Sequence, residues 1–434
     1  MRMYNNYSQY RDLWNKNIPS HWEVLPMYAV AQEKSICNCT ELPLLSVYLD
    51  VGVIPFSAKA EKRTNVTSTD LSKYQRVDIG DFVLNNQQAW RGSVGVSFDT
   101  GIVSPAYIVL SMNDRLNSRY ANYLFRSRIM VDQYLINSKS VGSIQRNIYW
   151  SALKRTRVII PPIEEQNQIV KFLDWKVSII NKLISVKKNR VAAYKELRKA
   201  VIDHGILHGF KNTDTKDSGI YWLGEIPESW EILPLKRICR ANASIADIVK
   251  TEENSELVTF LPMENVTETG EIDCSIKKNV ADVRTGFSSF AKGDVVVAKI
   301  TPCFENGKGA CLDDLDTDIG FGTTEFINLR PFEIVLSKYL YMITMTRPFR
   351  KLGEEVMTGS AGQKRGSVNY IKNFTLGIPN VEEQKFILAE IQQRLDQIDK
   401  AIEIERENIK NLQELKARII SDAVTGKIDV RSVD

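Results

Sequence analysis

The 434-residue sequence predicts an α+β fold: two pseudo-twofold related α+β domains joined by two long antiparallel coiled-coil helices. Three observations lead to this prediction. Several short motifs occur twice in the same order, and each copy ends in a long stretch with a heptad pattern. The rest of each copy alternates strand-like runs with turns.

The repeat is visible in four motifs. Ile-Pro-x-x-Trp-Glu occupies 18–23 and returns at 226–231, and Gly-Asp before an apolar run stands at 80–81 and 293–294. Ser-Arg/Lys-Tyr and Pro-x-x-Glu-Glu-Gln follow in both copies, and the second Glu-Glu-Gln lies 218 residues after the first. This period is far too long for a solenoid. It indicates gene duplication and pseudo-twofold symmetry.

Each Pro-x-x-Glu-Glu-Gln motif opens roughly 40 residues in which apolar side chains recur in steps of four and three, a rod of about 60 Å. Such spacing is typical of a helix that offers one apolar stripe to a single partner helix. We expect the rods to end at Gly205 and Gly426, because glycine adopts the left-handed conformation that ends helices. The predicted helix–helix contacts are Leu173, Val177, Ile180, Ile184, Lys187, Val191, Tyr194, Ile391, Leu395, Ile398, Ile402, Glu405, Ile409 and Leu412.

The charged residues in the stripe favour antiparallel packing. Lys187 and Glu405 occupy the same heptad position, and so do Arg198 and Lys416. A parallel pair would place Arg198 against Lys416, which is repulsive, whereas an antiparallel pair brings Lys187 opposite Glu405 near the middle of both rods. The alternative is that each helix packs only on its own domain.

Outside the long helices, the pattern is mostly strand and turn. One amphipathic helix is predicted near 117–134 and again near 337–352. Neither copy alternates strands with helices in a β-α-β rhythm, so we expect a curved, mixed sheet in each domain. The predicted strands are 44–49, 82–84, 94–97 and 107–110 in the first copy, and 295–298, 309–312 and 325–329 in the second.

These elements divide the chain into seven segments. The two globular segments are similar in length, and a polar linker separates the two copies. The segments are an N-terminal arm (1–17), domain 1 (18–160), helix 1 (161–208), a linker (209–217), domain 2 (218–378), helix 2 (379–425) and a C-terminal tail (426–434).

Composition indicates a globular protein of the reducing cytoplasm. No apolar run is long enough to span a membrane, and the six cysteines include no Cys-x-x-Cys pair. With only three histidines, we expect no metal site. Residues 1–217 contain 30 Lys and Arg against 19 Asp and Glu, and the remainder contains 27 against 34. Basic patches are therefore expected mainly in the first half.

Catalytic motifs are absent from the sequence. It contains no Gly-x-x-x-x-Gly-Lys-Ser/Thr phosphate loop, no glycine-rich βα turn for a dinucleotide or S-adenosylmethionine, and no Asn/Asp-Pro-Pro-aromatic stretch. Glu414-Leu415-Lys416, with Asp396 or Asp399 upstream, has the composition of a nuclease site, but it lies on one predicted rod and is read as a solvated helix face. We therefore predict a protein that is not an enzyme and has no cofactor of its own.

Polar loops at matching places in the two copies suggest recognition of DNA. Asn and Gln can pair with the adenine edge and Arg with guanine, while basic side chains contact phosphates. For any single loop, a solvated turn is an equally good reading. The candidate DNA-binding residues are Gln87, Gln88, Trp90, Arg91, Lys139, Ser143, Gln145, Arg146, Asn147, Lys299, Thr301, Asn306, Lys308, Gln363, Lys364, Arg365 and Asn369.

The ordered, duplicated motif set resembles the specificity subunits of type I restriction–modification enzymes over nearly the whole chain. The resemblance implies two target-recognition domains that read the halves of a split DNA sequence, with the two helices as the spacer. It also implies two methyltransferase subunits that use S-adenosylmethionine, and two motor–endonuclease subunits that use ATP and Mg. One departure is that His208-Gly209-Phe210 lacks the Thr-Gly-Lys of 425–427, so the two helix ends should differ in their contacts.

Two other functions remain open on sequence alone. A coiled-coil adaptor or structural protein that binds other proteins would show no salt-sensitive affinity for DNA. A nuclease with an unrecognised site would cleave DNA as an isolated chain in the presence of a metal ion.

Overall fold

A computed structural model of the chain describes residues 3–10, 17–58, 70–141, 145–245, 256–359 and 364–431. The chain forms two compact units, one of residues 1–188 with 406–434 and one of residues 189–405. Each unit therefore combines one globular domain with parts of both long helices, and the units are not consecutive halves of the sequence.

The first unit is built around an antiparallel sheet in the order β4-β11-β8-β9, with the further pairs β1-β2, β3-β14, β5-β6, β7-β10 and β12-β13. Its strands are β1 (Tyr7–Gln9), β2 (Asn17–Pro19), β3 (Glu23–Pro26), β4 (Ala31–Lys34), β5 (Leu45–Tyr48), β6 (Gly52–Pro55), β7 (Gln75–Val77), β8 (Phe82–Asn85), β9 (Val94–Val96), β10 (Gly101–Val103), β11 (Tyr107–Met112), β12 (Ser138–Val141), β13 (Gln145–Ile148) and β14 (Arg157–Ile160). Its helices are α1 (Ser118–Phe125), α2 (Arg128–Ile136), α3 (Trp150–Leu153) and the start of α4 (Ile163–His208).

The second unit repeats this plan with a sheet in the order β18-β25-β22-β23 and adds a mixed sheet, β20-β19-β24-β21, in which β19 and β24 are parallel. Its strands are β15 (Thr215–Asp217), β16 (Glu225–Pro227), β17 (Glu231–Pro234), β18 (Cys239–Ala241), β19 (Leu257–Leu261), β20 (Lys277–Asn279), β21 (Ser288–Ala291), β22 (Val295–Ala298), β23 (Gly309–Cys311), β24 (Ile319–Gly322), β25 (Phe326–Pro331) and β26 (Thr375–Ile378). Its helices are α5 (Val280–Val283), α6 (Ser337–Met345), α7 (Arg347–Glu355), α8 (Val368–Asn373) and the start of α9 (Val381–Val424).

The α+β prediction is confirmed, and each predicted strand overlaps an observed one. The single amphipathic helix predicted in each copy is wrong in detail, because both are broken into two. Ser127 separates α1 from α2 with extended backbone angles, and Thr346 does the same between α6 and α7. Pro348 at the start of α7 suits a first helical turn better than a helix interior.

The ends of the long helices correct one expectation. α4 continues through Gly205 to His208, and Gly209 with φ +71° follows its end. Gly426, also at φ +71°, follows α9 as predicted. At Gly205 a side chain would meet Ile391, since an added Cβ would lie 2.9 Å from Ile391 Cγ1. This glycine is needed for close packing.

In both units the N-terminal part of one long helix packs against the C-terminal part of the other, so the helices run antiparallel. In the first unit, Ile180 and Ile419 belong to one buried cluster. In the second, Ile202 and Ile391 do so. Also within the first unit, Lys416 Nζ donates to Asn181 Oδ1 at 2.9 Å.

The repeated motifs fasten the domains to the helix ends. Tyr120 donates from its buried hydroxyl to Val424 O at 3.4 Å, and Tyr339 donates to Ile206 O at 3.2 Å. The motif tryptophans lie against the terminating glycines. An added Cβ would lie 3.1 Å from Trp22 at Gly426 and 3.2 Å from Trp230 at Gly209. The repeated sequence motifs thus serve mainly to hold each domain against the helix ends.

The Gly-Asp motif closes the turn before the central strand of each unit. Asp81 accepts the Asp78 N–H at 2.8 Å, and Asp294 accepts the Ala291 N–H at 2.9 Å. Buried Asp294 also accepts two hydrogen bonds from Arg330, at 2.8 and 2.9 Å. Both carboxylates are therefore hydrogen-bonded inside the fold.

Candidate nucleic-acid interface

In the first unit, the two segments that carry predicted DNA-binding residues meet at one corner. The Asn86 N–H, just after β8, donates to Ala106 O at 3.1 Å, and the Ile148 N–H at the end of β13 donates to Asn86 O at 2.9 Å. The β12-β13 hairpin therefore lies beside the loop that follows β8. In the hairpin, Lys139 is opposite Asn147. We call this arrangement the first corner.

The second unit repeats the corner with the same backbone hydrogen bonds. The Lys299 N–H donates to Glu325 O at 2.9 Å, and the Gly366 N–H donates to Lys299 O at 2.6 Å. Arg365 and Thr358 form a β-bridge through reciprocal backbone hydrogen bonds. We call this the second corner. The loops paired by sequence are therefore also equivalent in structure.

The loop after β8 is folded into a single tight turn. Asn85 Oδ1 accepts the Gln87 N–H at 3.0 Å, and Trp90 Nε1 donates to Gln87 O at 2.9 Å. Gln87 and Arg91 are exposed, while Gln88 and Trp90 are half-buried. The Arg91 guanidinium lies 5.4 Å from the centre of the Trp90 ring. An exposed amide and an exposed guanidinium on a fixed turn can both donate hydrogen bonds to DNA.

The loop after β22 is held in place by a buried aromatic residue and a buried arginine. Phe304 is buried, and its carbonyl accepts a hydrogen bond from buried Arg350 at 3.0 Å. Burial lowers the pKa of the Arg350 guanidinium to about 10. Thr301 Oγ1 accepts the Lys364 N–H at 3.1 Å, which ties the loop to the segment that carries Arg365. Thr301 therefore positions this corner.

The remaining predicted residues fall into three groups. The exposed ones are Lys139, Asn306, Arg365 and Asn369, and the half-buried ones are Arg146, Asn147, Lys299, Lys308 and Lys364. Asn369 is engaged in the first turn of α8, where its Oδ1 accepts from Asn373 Nδ2 at 3.0 Å. Ser143, Gln363 and the Gln145 side chain lie outside what the structure describes.

Aromatic residues beside the corners were not predicted. In the first unit, Tyr107, Tyr149 and Trp150 help to line a cavity of about 360 Å³ next to Asn86. In the second, Trp222 and Tyr370 help to line one of about 540 Å³. Tyr149 and Tyr370 have a sequence signal, since Tyr149 directly follows the polar β12-β13 hairpin and Tyr370 directly follows Asn369 of the matching polar segment.

The predicted contact residues of α4 and α9 are either buried or half-buried. The buried ones are Leu173, Ile180, Ile391, Leu395, Ile398, Ile402 and Glu405. Arg190 donates to Glu405 Oε1 at 3.1 Å within the second unit. The predicted Lys187–Glu405 contact stays a prediction.

The described residues contain no group of three or more His, Cys, Asp or Glu side chains that could hold a metal ion. All six cysteines are free thiols. Of the helices in the described ranges, none has the length and apolar character needed to cross a membrane.

A family model described as the type I restriction modification DNA specificity domain matches residues 20–193 and 227–414. These two matches cover most of the chain, one in each copy of the repeat. The chain belongs to this family. The resemblance inferred from the duplicated motifs is thereby confirmed.

Named relatives agree with this membership. The chain is 38% identical over 191 residues to the type I restriction enzyme EcoAI specificity subunit of Escherichia coli, covering 43% of this chain and 31% of that protein. The chain is also 35% identical over 168 residues to the type I restriction enzyme EcoEI specificity subunit of Escherichia coli, which covers 38% of this chain and 27% of that protein. The chain thus aligns with less than a third of the length of these two relatives. The MjaVIII specificity subunit of Methanocaldococcus jannaschii is 24% identical over 98% of this chain and 97% of its own length.

A solved structure shares the fold. Its description is the structural basis underlying complex assembly and conformational transition of the type I R-M system. It superposes on this chain with a TM-score of 0.63 at 15% sequence identity. The superposition covers 95% of this chain and 100% of that chain. At this identity the similarity supports the specificity-domain fold alone.

Proposed function

We propose that this chain is the DNA sequence-specificity subunit of a type I restriction–modification complex. Each domain reads one half of a split, asymmetric target in double-stranded DNA. The observation that carries the proposal is the pair of equivalent corners, which share a backbone frame but present different polar side chains. Different side chains on one frame suit two half-sites of different sequence.

The chain acts as a recognition subunit without chemistry of its own. Two methyltransferase subunits supply methylation and bind S-adenosylmethionine, and two motor–endonuclease subunits bind ATP and Mg. The complex works in the cytoplasm, where its DNA is found. In the first unit, Trp175, Ile179, Leu183 and Val186 form an exposed apolar stripe on α4. We assign this stripe to the methyltransferase subunits, because exposed apolar patches are typical of subunit contacts.

Salt dependence of DNA binding tests the proposal. The purified chain should bind a duplex of random sequence, with the logarithm of the association constant falling by about 3 to 6 per tenfold increase in salt, as expected for several phosphate contacts. Fluorescence anisotropy measures this slope. No binding, or binding that does not respond to salt, would contradict the proposal and favour a protein-binding adaptor. Metal-dependent cleavage by the isolated chain would favour a nuclease.

A further inference from the structure

The backbone hydrogen bonds of the two corners identify which reading positions correspond. Ile148 donates to Asn86 O in the first corner, as Gly366 donates to Lys299 O in the second. The residue just before each donor is Asn147 in the first corner and Arg365 in the second. Asn147 and Arg365 therefore occupy equivalent backbone positions in the two corners.

The surroundings of this place differ between the corners in two charged groups, since Lys299 and Glu325 of the second corner take the places of Asn86 and Ala106 in the first. Arg365 Nη2 donates to Glu325 Oε1 at 2.7 Å, and the Arg365 side chain is 65% exposed while that of Glu325 is only 21% exposed. Ala106 occupies the position of Glu325 in the first corner, because its carbonyl accepts the equivalent backbone hydrogen bond. The carboxylate is present only where the reading position is an arginine.

Both corners contain buried oxygen atoms that lack a hydrogen-bond donor. Within the described residues, the buried atoms Asn86 Oδ1 and Asn147 Oδ1 of the first corner have no hydrogen-bond partner. The same holds for Glu325 Oε2 in the second. A buried acceptor without a donor costs about 1–3 kcal/mol. In the first corner, the exocyclic amino group of adenine is a donor that would recover that cost once the Asn147 side chain turns outward.

We propose that Asn147 and Arg365 are equivalent base-reading residues, with Asn147 reading an adenine and Arg365 a guanine. Glu325 is the positioning residue that holds the Arg365 guanidinium. This inference rests on the proposed function and goes further by assigning one base to one side chain in each half-site.

The chemistry of each side chain fits its base. Once the half-buried Asn147 side chain turns outward, its amide can accept from adenine N6 through Oδ1 and donate to N7 through Nδ2. Arg365 uses one hydrogen of Nη2 for Glu325, so the other Nη2 hydrogen and both Nη1 hydrogens remain for guanine O6 and N7. Fixing a long side chain before binding lowers the entropy cost of the contact.

The test uses the chain in complex with its methyltransferase subunits and a duplex library randomised over a split site. Sequencing of the methylated duplexes gives the preference at each position. For Arg365→Asn, we expect one position of one half-site to lose its preference for guanine by about tenfold or more and to shift towards adenine. For Glu325→Gln, we expect a weaker preference at that same position only. Asn147→Arg combined with Ala106→Glu should change one position of the other half-site towards guanine.

Lys364→Asn is the matched control, since it removes the same charge one residue away from Arg365. It should lower affinity for all sequences and leave the motif unchanged. Thermal melting shows whether each variant is folded. A normal wild-type motif that Arg365→Asn leaves unchanged, or weakens equally at every position, would refute the assignment. A wild-type complex that enriches no split motif would instead refute the proposed function.

Discussion

Gln384 is completely buried at the start of α9, and its amide uses three hydrogen bonds to fix the domain to the helix. Oε1 accepts the Leu336 N–H at 2.9 Å, and Nε2 donates to Ile334 O at 2.8 Å and to Pro379 O at 2.9 Å. Gln166 repeats this pattern at the start of α4 with Asn117, Arg115 and Pro161. The Glu-Glu-Gln motif is therefore a joint between helix and domain.

Replacing Gln384 by leucine should destabilise the second unit. The change removes the amide partner of the Leu336 N–H and of the Ile334 and Pro379 carbonyls, and we expect the free energy of unfolding to fall by about 2–4 kcal/mol. Denaturant unfolding followed by tryptophan fluorescence measures the loss. Gln392→Leu is the control, because Gln392 is exposed on the same helix and should change stability by less than about 0.5 kcal/mol. Equal effects of the two substitutions would contradict the role of the joint.

Individual residues mark the limit of sequence reasoning. The polar loops were found because both copies carry amides and cations at matching places. Glu325 was not found, because Ala106 in the first copy offers no matching carboxylate and the contact with Arg365 joins residues 40 positions apart. Asn369 shows the opposite case, since its polar side chain completes a helix turn.

At the scale of elements, periodicity predicted the two long helices well and their ends less well. The four-three pattern gives the buried face of α4 and α9, because burial in a helix pair follows sequence spacing. Gly205 was read as a helix end, yet it lies inside α4. A glycine can end a helix or admit a close neighbour, and only the position of Ile391 distinguishes these two roles.

Gly205→Ala provides a direct test of that close contact. In an exposed helix, alanine in place of glycine would stabilise by about 1 kcal/mol. Here the added Cβ would lie 2.8 Å from Phe210 and 2.9 Å from Ile391, so we expect a lower melting temperature instead. The double variant Gly205→Ala with Ile391→Ala should lose less than the sum of the single losses, since the clash is relieved. A higher melting temperature for Gly205→Ala would show that the helices are not closely packed there.

At the scale of the whole molecule, the duplication was predictable, but the composition of the compact units was not. Sequence order suggested two successive halves, each a domain followed by its helix. The structure instead groups 406–434 with the first domain and 189–208 of the first long helix with the second. Antiparallel packing between helices some 200 residues apart produces this exchange. Local patterns contain no information about such long-range pairs, beyond the charges that disfavoured a parallel arrangement.

The measurement that tests the account most directly is the methylome of a host with and without the gene for this chain, with the partner subunits present in both. We expect methyladenine in both halves of a split, asymmetric motif, and we expect this motif to vanish on deletion and return on complementation. A methylation pattern that is identical in the two strains would contradict the assignment of this chain as a DNA-specificity subunit.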